Sequence, residues 1–260
     1  MNPQHCDEDF NAQLRSLTGF VPGAELDDED VFLVGFMKSG TNWLRTLVAG
    51  VVYGADPQYV PSGLLRRLVP NHGHKKFYYR RYGTPTFFRM HDFPRPEFKR
   101  VVYLLRDGRD AMVSLRHHFS ATQGREIDFL KFVRGEDEMG PRFKWHTHVE
   151  KWLANPYQAQ MIVIRYEDLK RDTVNELRRF CEFVGVSRAD AHLAAIAQKA
   201  SFANMREKEE RRGGRKRWPQ DKFFVRRGEV GSHKDEMPPE VLEVFLSEAG
   251  DTLRQLGYLE

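Results

Sequence analysis

The sequence predicts an α/β fold in a single domain, with a mainly parallel central sheet flanked by helices. Four short apolar runs, Val31 to Phe36, Thr86 to Met90, Val101 to Leu105 and Met161 to Ile164, are bounded by turn residues, and all but the second are rich in Val, Ile and Leu. Strands buried on both faces read this way. Between and after them, Asn42 to Val52, Arg109 to Phe119, Phe143 to Leu153, Thr173 to Val184 and Ala189 to Lys199 carry apolar residues at three- and four-residue spacing, the period of amphipathic helices. Strand alternating with helix predicts a parallel sheet covered on its faces. No internal repeat or low-complexity linker interrupts the 260 residues, so one domain is expected.

Each strand then has a consequence. In open parallel sheets ligands bind beyond the carboxyl ends of the strands. The loops after Phe36, Met90, Leu105 and Ile164 are therefore where chemistry is expected.

Composition sets the outer limits. A hydrophobic content of 40% is enough to fill a core, and no apolar run is long enough to span a bilayer. The opening "MNPQHCDEDF" lacks the basic and apolar regions of a secretory signal. Cys6 and Cys181 are too few and too far apart for a disulfide framework or a cysteine metal site. A cytoplasmic protein is expected, its first 25 or so residues peripheral to the domain.

Lys and Arg number 41 against 37 Asp and Glu, a net charge of +4 that suits a small anionic ligand. The densest basic stretch, "REKEERRGGRKRW" from Arg206 to Trp218, has glutamates mixed into it and is read as a solvated charge run, not a nucleic-acid surface. Gly213 and Gly214 suggest a mobile loop over 206–222.

The loop after the first strand, "GFMKSGTNW", is P-loop-like: strand, short loop, helix. A helix beginning near Asn42 would aim the backbone N–H groups of Ser39 to Trp43 at one point, with its positive end behind them. Gly40 admits a ligand close to the backbone, Ser39 and Thr41 offer hydroxyls, and Lys38 offers a mobile charge. The ATP-binding order, glycine followed by Lys and Ser or Thr, is absent. An ordinary capped helix start is the alternative.

"VVYLLRDGRDAMVSLRHHF" repeats the plan, with Arg106 at the strand end and Ser114 eight residues later. Both can face one phosphate if the helix packs back along the strand; alternatively Arg106 pairs with Asp107 or Asp110. Near the C-terminus "FFVRRGEVGSHK" sets Arg226 and Arg227 before Gly228, guanidiniums suited to bidentate contact with a phosphate or to a solvated loop.

These three stretches, in this order, resemble the sulfotransferases that use 3′-phosphoadenosine 5′-phosphosulfate (PAPS), particularly the cytosolic type. The resemblance implies that Lys38, Ser39, Gly40, Thr41 and Asn42 hold the 5′-phosphosulfate, and that Arg106, Ser114, Arg226, Arg227 and Gly228 hold the 3′-phosphate. "WHTHVEKW", "RYEDLKRD", "ELRRFCEFVGV" and "SFANM" extend it to most of the chain from Val31 to Lys234. By the same resemblance Trp43 and Phe202 flank the adenine, with Tyr166, Ser201 and Met205 nearby; core packing is the alternative for Trp43, Phe202 and Met205.

The implied reaction moves a sulfuryl group from PAPS to a hydroxyl or amine of a small-molecule acceptor, leaving 3′-phosphoadenosine 5′-phosphate (PAP). His91, in "FFRMHDFP", follows a strand and resembles the family's catalytic histidine; Lys38 would neutralise the leaving phosphate. No metal is expected, because the sulfuryl group carries less negative charge than a phosphoryl group and the histidine pairs lack ligand spacing. The chain departs from the family pattern at Asn42, Arg89, Ser232 and His233, and lacks the Thr-Val of its dimer motif after Lys234. "NHGHKKFYYRRYGTPTFF" is expected to border the acceptor; its basic residues suggest an acidic or sugar-like acceptor and its aromatics a phenol or apolar alcohol.

Overall fold

The computed structural model describes residues 13, 15–16, 18–23, 25–73, 78–83, 85–138, 140–214, 218–219 and 223–260. In chain order its elements begin with β1 (Phe20–Pro22), β2 (Val31–Val34), α1 (Thr41–Tyr53), α2 (Ser62–Leu68), β3 (Tyr78–Arg80), β4 (Phe87–Met90) and β5 (Arg100–Leu105). Next come α3 (Gly108–Gln123), α4 (Phe129–Arg134), α5 (Trp145–Leu153), β6 (Gln160–Arg165), α6 (Tyr166–Arg171) and α7 (Thr173–Val184). The chain closes with α8 (Asp190–Lys199), α9 (Phe202–Arg211), α10 (His233–Glu236) and α11 (Pro239–Gln255).

Four strands form an all-parallel sheet in the order β4-β2-β5-β6. The central strand β2 pairs Val34 with Met90 on one side and with Tyr103 on the other, so its carboxyl end lies between those of β4 and β5. That is the crevice where open parallel sheets receive ligands.

Alternation along the strands divides the core in two. Phe32, Val34, Val101, Tyr103 and Leu105 face a cluster built with Ala111 and Leu115 of α3, Val149 and Trp152 of α5, and Val241, Phe245, Ala249 and Leu253 of α11. Val31, Leu33, Val102 and Leu104 face Leu44, Leu47 and Val51 of α1, Leu177 and Phe180 of α7, and Leu193 and Ile196 of α8. Both faces are covered, which is why the strands read as near-continuous apolar runs. Each such Leu or Phe, fully buried, contributes roughly 1.5–3 kcal/mol.

The expected α/β class, parallel sheet and flanking helices are those of the structure. Several elements went unpredicted. Helix α11 has an i, i+4 stripe of Val241, Phe245, Ala249 and Leu253, a signal present in the sequence beyond its recognisable motifs. The antiparallel ribbon of β1 and β3 is too short to have one. The segment expected as a loop from residue 206 is helical through Arg211, where Arg206 pairs with Glu210 and Arg211 with Glu207 at i, i+4. Residues 215–217 and 220–222 of that segment lie outside the described residues, as does most of the N-terminal stretch expected to be peripheral. Residues 74–77 and 84 of the expected acceptor border are likewise outside them.

Candidate active site

Four loops meet at the carboxyl edge of the sheet, each following a strand by one to four residues. Behind β2 the chain turns through Lys38, at φ 67°, and Gly40, at φ 102°, into α1. A Cβ on Gly40 would stand 2.8 Å from Cδ2 of Tyr166, so the position tolerates no side chain. No side chain caps α1. The N–H groups of Ser39 and Trp43, expected to face the ligand, bond instead to the carbonyls of Phe36 and Gly40. The expected anion cradle therefore narrows to Gly40, Thr41 and Asn42, first-turn donors that the helix itself cannot satisfy.

Arg106, one residue beyond β5, ties the distant motifs together. Its Nη1 donates to the carbonyl of Lys38 at 3.0 Å and its Nη2 to the carbonyl of Glu229 at 3.1 Å. The guanidinium lies 4.3 Å over the ring of Tyr166, and Asp110 is 3.8 Å away, so the alternative pairing with Asp110 is also present. Arg106 is only 8% exposed, yet its Nε is buried without a hydrogen-bond partner. An orphaned buried guanidinium N–H suits an incoming anion. Ser114 is half-buried on α3 and shares no hydrogen bond with Arg106 among the described residues.

The late basic segment folds against these loops. A Cβ on Gly228 would fall 2.2 Å from the Phe202 ring, and the Gly228 carbonyl accepts from Lys170 Nζ. Arg226 is bidentate to Glu236 at 2.6 and 2.9 Å, and Arg227 reaches the same carboxylate at 2.9 Å. His117 Nε2 adds a fourth contact at 2.7 Å. Burial alone would raise the Glu236 carboxyl, but the bonds from Arg226, His117 and Arg227 hold it at about 2. Both arginines are thus already engaged by a carboxylate that no motif announced.

Asp110 performs a similar service for the following turn. It accepts from the backbone N–H of Gly231 at 2.7 Å and of His233 at 3.0 Å, and pairs with His233 Nδ1 at 2.8 Å. His233 therefore has a defined place where the family pattern differs.

On the opposite side, Trp43 donates Nε1–H to the carbonyl of Ala200 at 2.9 Å and meets the Tyr166 ring edge-on at 5.8 Å. Ser201 accepts from Asn204 N–H and so caps α9. Phe202 is 38% exposed with its ring against Gly228, while Met205 is half-buried one turn later.

His91 follows β4 directly. Its Nδ1 lies 2.6 Å from the carbonyl oxygen of Gly35, which can only accept, so Nδ1 carries the proton and Nε2 the lone pair. Arg89 Nη2 donates to that Nε2. Burial first, then the positive charge of Arg89, lowers the His91 pKa to about 3. The loop is pinned from α5: His148 Nε2–H donates to the His91 carbonyl at 3.1 Å while Nδ1 accepts from Tyr103 at 3.0 Å, and Trp152 Nε1–H donates to the Asp92 carbonyl at 3.0 Å. Burial lowers the His148 pKa to about 4. The "WHTHVEKW" segment thus positions the candidate base.

Arg89 also donates Nε–H to Thr41 Oγ1 at 3.0 Å and Nη1–H to Asn71 Oδ1 at 3.0 Å, linking the anion loop to His91. Arg45, one turn along α1 and 4% exposed, donates to the same Asn71 oxygen. Burial, then Arg89, lowers its pKa to about 9. Lys38 places its Nζ 3.7 Å from the Phe224 ring centroid. Among the described residues no group of three or more His, Cys, Asp or Glu is arranged to hold a metal ion, and no helix is long and apolar enough to cross a membrane.

Parallel strands whose carboxyl ends converge on Lys38, Arg89 and Arg106 define an α/β class with a cationic sheet edge. The sulfotransferase domain matches residues 28–257, and the chain belongs to that family. Sulfotransferase 2B1 of Mus musculus is 28% identical over 195 residues, a match spanning 69% of this chain and 56% of that protein. The 3-beta-hydroxysteroid sulfotransferase of Cavia porcellus is 28% identical over 199 residues, covering 70% of this chain and 68% of that one. Among solved structures, mouse sulfotransferase SULT7A1 complexed with PAP shares the fold with a TM-score of 0.62 at 20% identity, over 96% of this chain and 94% of that chain.

Proposed function

We propose that this chain transfers the sulfuryl group of PAPS to a hydroxyl or amine of a small-molecule acceptor, with His91 as general base and Lys38 neutralising the leaving 5′-phosphate. The observation that carries this reading is the tautomer of His91. With Nδ1–H committed to Gly35, the Nε2 lone pair stands beside the Thr41–Arg89 link to the anion loop. A pKa of about 3 keeps that ring unprotonated at neutral pH, and for Nε2 to take a proton Arg89 must give up its bond there when the acceptor binds.

PAPS supplies an activated sulfuryl group: the acceptor oxygen forms the new O–S bond as the S–O bond to phosphate breaks, its electron pair staying on the phosphate. His91 Nε2 takes the acceptor's proton in the same step. Lys38, Ser39, Gly40, Thr41 and Asn42 would hold the 5′ end, where backbone N–H groups and one ammonium stabilise the charge that develops. Arg106, Ser114, Arg226, Arg227 and Gly228 would hold the 3′-phosphate; the unpartnered Nε of Arg106 supports that fit. Trp43, Tyr166, Ser201, Phe202 and Met205 would enclose the adenine, for which the exposed Phe202 ring offers a stacking face. A cytoplasmic setting and the absence of a nucleic-acid partner belong to the same proposal.

A second reading, a protein that holds PAP without turnover, is favoured by the Arg89 bond to the same Nε2 that the base would use. Incubation with labelled PAPS and a panel of hydroxyl compounds, with and without a chelator, separates them. Transfer that survives chelation supports the enzyme. Tight PAP binding without transfer supports the holding protein, and a requirement for ATP overturns both.

A further inference from the structure

We propose that helix α2 and the end of helix α9 form a docking surface for an anionic lipid bilayer. Sulfuryl transfer does not require this surface, so the docking stands or falls apart from that reading.

Three features of the surface point to lipid. First, α2, "SGLLRRL", has no buried residue: Leu65 and Leu68 rest half-buried on the core beneath it, while Leu64 is 42% exposed and Tyr59, in the turn before the helix, 67%. Second, Arg66 and Arg67 are exposed, and among the described residues neither has an ion pair or a hydrogen bond. Third, α9 ends against this helix and adds two more guanidiniums. Arg212 donates to the carbonyl of Val60 at 3.0 Å and to the carbonyl of Tyr59 and Ser62 Oγ at 3.3 Å, and Arg211 lies 5.8 Å from the centre of the Tyr59 ring.

The local carboxylates leave most of that charge unbalanced. Glu207 stands 3.8 Å from Arg211, but Glu210 pairs with Arg206 at 2.7 Å, Asp56 pairs with Lys199 at 2.6 Å, and Glu209 accepts from the backbone N–H groups of Phe224 and Val225. Arg66, Arg67 and Arg212 are therefore exposed with no carboxylate partner among the described residues. Guanidiniums interleaved with an exposed Leu and Tyr suit an anionic bilayer: the cations meet the headgroups and the apolar tips enter the acyl boundary. A nucleic acid would engage the arginines but leave Leu64 in water. A peptide would need a groove, where α2 offers a ridge. Beyond α2 the chain passes through Val69 into Pro70 and Asn71, whose oxygens accept from Arg89. A bilayer at α2 would thus adjoin the segment expected to border the acceptor.

The test is co-sedimentation of the full chain with unilamellar vesicles of phosphatidylcholine alone, or with roughly one-third phosphatidylserine, at low and at physiological salt. Partitioning onto the anionic vesicles is expected to be stronger by about tenfold or more, and to fall as salt rises. Arg66→Gln with Arg67→Gln should lower it by about tenfold or more, each guanidinium near the headgroups being worth about fivefold. Tyr59→Ser with Leu64→Ser should lower it by about fivefold or more while leaving its salt dependence in place. Lys131→Gln with Arg134→Gln removes the same charge from exposed positions on α4 and should cost less than about twofold.

Equal binding to the two kinds of vesicle would overturn the docking surface. So would a loss from the α4 pair equal to that from Arg66 and Arg67, which would reduce the effect to net charge. A single-stranded oligonucleotide held more tightly than the anionic vesicles, with the Tyr59 and Leu64 substitutions without effect, would reassign the arginines to a nucleic acid and end the proposal as well.

Discussion

His91 and Gly35 are joined by a 2.6 Å bond from imidazole Nδ1–H to a backbone carbonyl, and that bond connects the loop after β4 to the loop after β2. It sets the tautomer of the ring and the direction of its lone pair. Removal of the ring should therefore remove the proton acceptor and this one tie between the loops, while the bond from Arg89 to Thr41 still holds the anion loop to β4. We expect His91→Ala to lower labelled transfer by roughly 10²–10⁴ while PAP affinity, measured calorimetrically, changes little. Turnover close to that of the natural chain would remove His91 from the mechanism.

Arg106 bridges the carbonyls of Lys38 and Glu229 and keeps one N–H in reserve. Arg106→Ala should weaken PAP by roughly ten- to a hundredfold, the range of a lost charge-assisted hydrogen bond. Adenosine 5′-phosphate, which lacks the 3′-phosphate, should lose far less. Equal losses for the two nucleotides would show that Arg106 acts on the fold and not on the 3′ end.

Glu236 holds Arg226 and Arg227 through three bonds of 2.6 to 2.9 Å. If both arginines serve the 3′-phosphate, this carboxylate competes with it. Glu236→Gln should then tighten PAP by about 1 kcal/mol, roughly fivefold, and steepen the salt dependence of binding. Weaker binding in the variant would mean that Glu236 instead pre-arranges the arginines for the ligand.

Acid should destabilise the protein earlier than its carboxylates alone would require. His91 and His148 have folded pKa values of about 3 and about 4, below the ordinary 6.5 that they regain on unfolding. The unfolded chain then binds more protons, so stability is complete above pH 6.5 and is lost as pH falls towards the folded values. Glu236, depressed from 4.5 to about 2, adds its own loss below pH 4.5. Each buried histidine should contribute a slope of about 1 kcal/mol per pH unit between pH 6 and 4, visible as a falling thermal midpoint. A midpoint that is flat between pH 7 and 5 would contradict this.

The strands and principal helices were legible because burial on both faces leaves an unbroken apolar signature. Thr173–Val184 has the same limits in sequence and structure, since Asp172 caps it and Gly185 ends it in a left-handed turn. The ends of the strands were legible for the same reason, and with them the positions of Lys38, His91, Arg106 and Tyr166 around one edge. Glu236, Asn71, Arg45 and the hold of Asp110 on Gly231 and His233 were not. Each acts through a partner more than nine residues away, and the spacing of one segment carries no trace of such a meeting.

The sequence by itself determined the alternation of strand and helix, the parallel sheet that follows from it, and the chemical types of the loops at its edge. These depend on local period and residue type, which one chain displays in order. Only the tertiary structure decided which N–H groups of the first loop remain for an anion, that Arg226 and Arg227 already grip a carboxylate, and that two guanidiniums share one amide beside His91. Those outcomes are set by charges and donors from remote segments competing for the same few atoms, a balance struck only when the chain is folded.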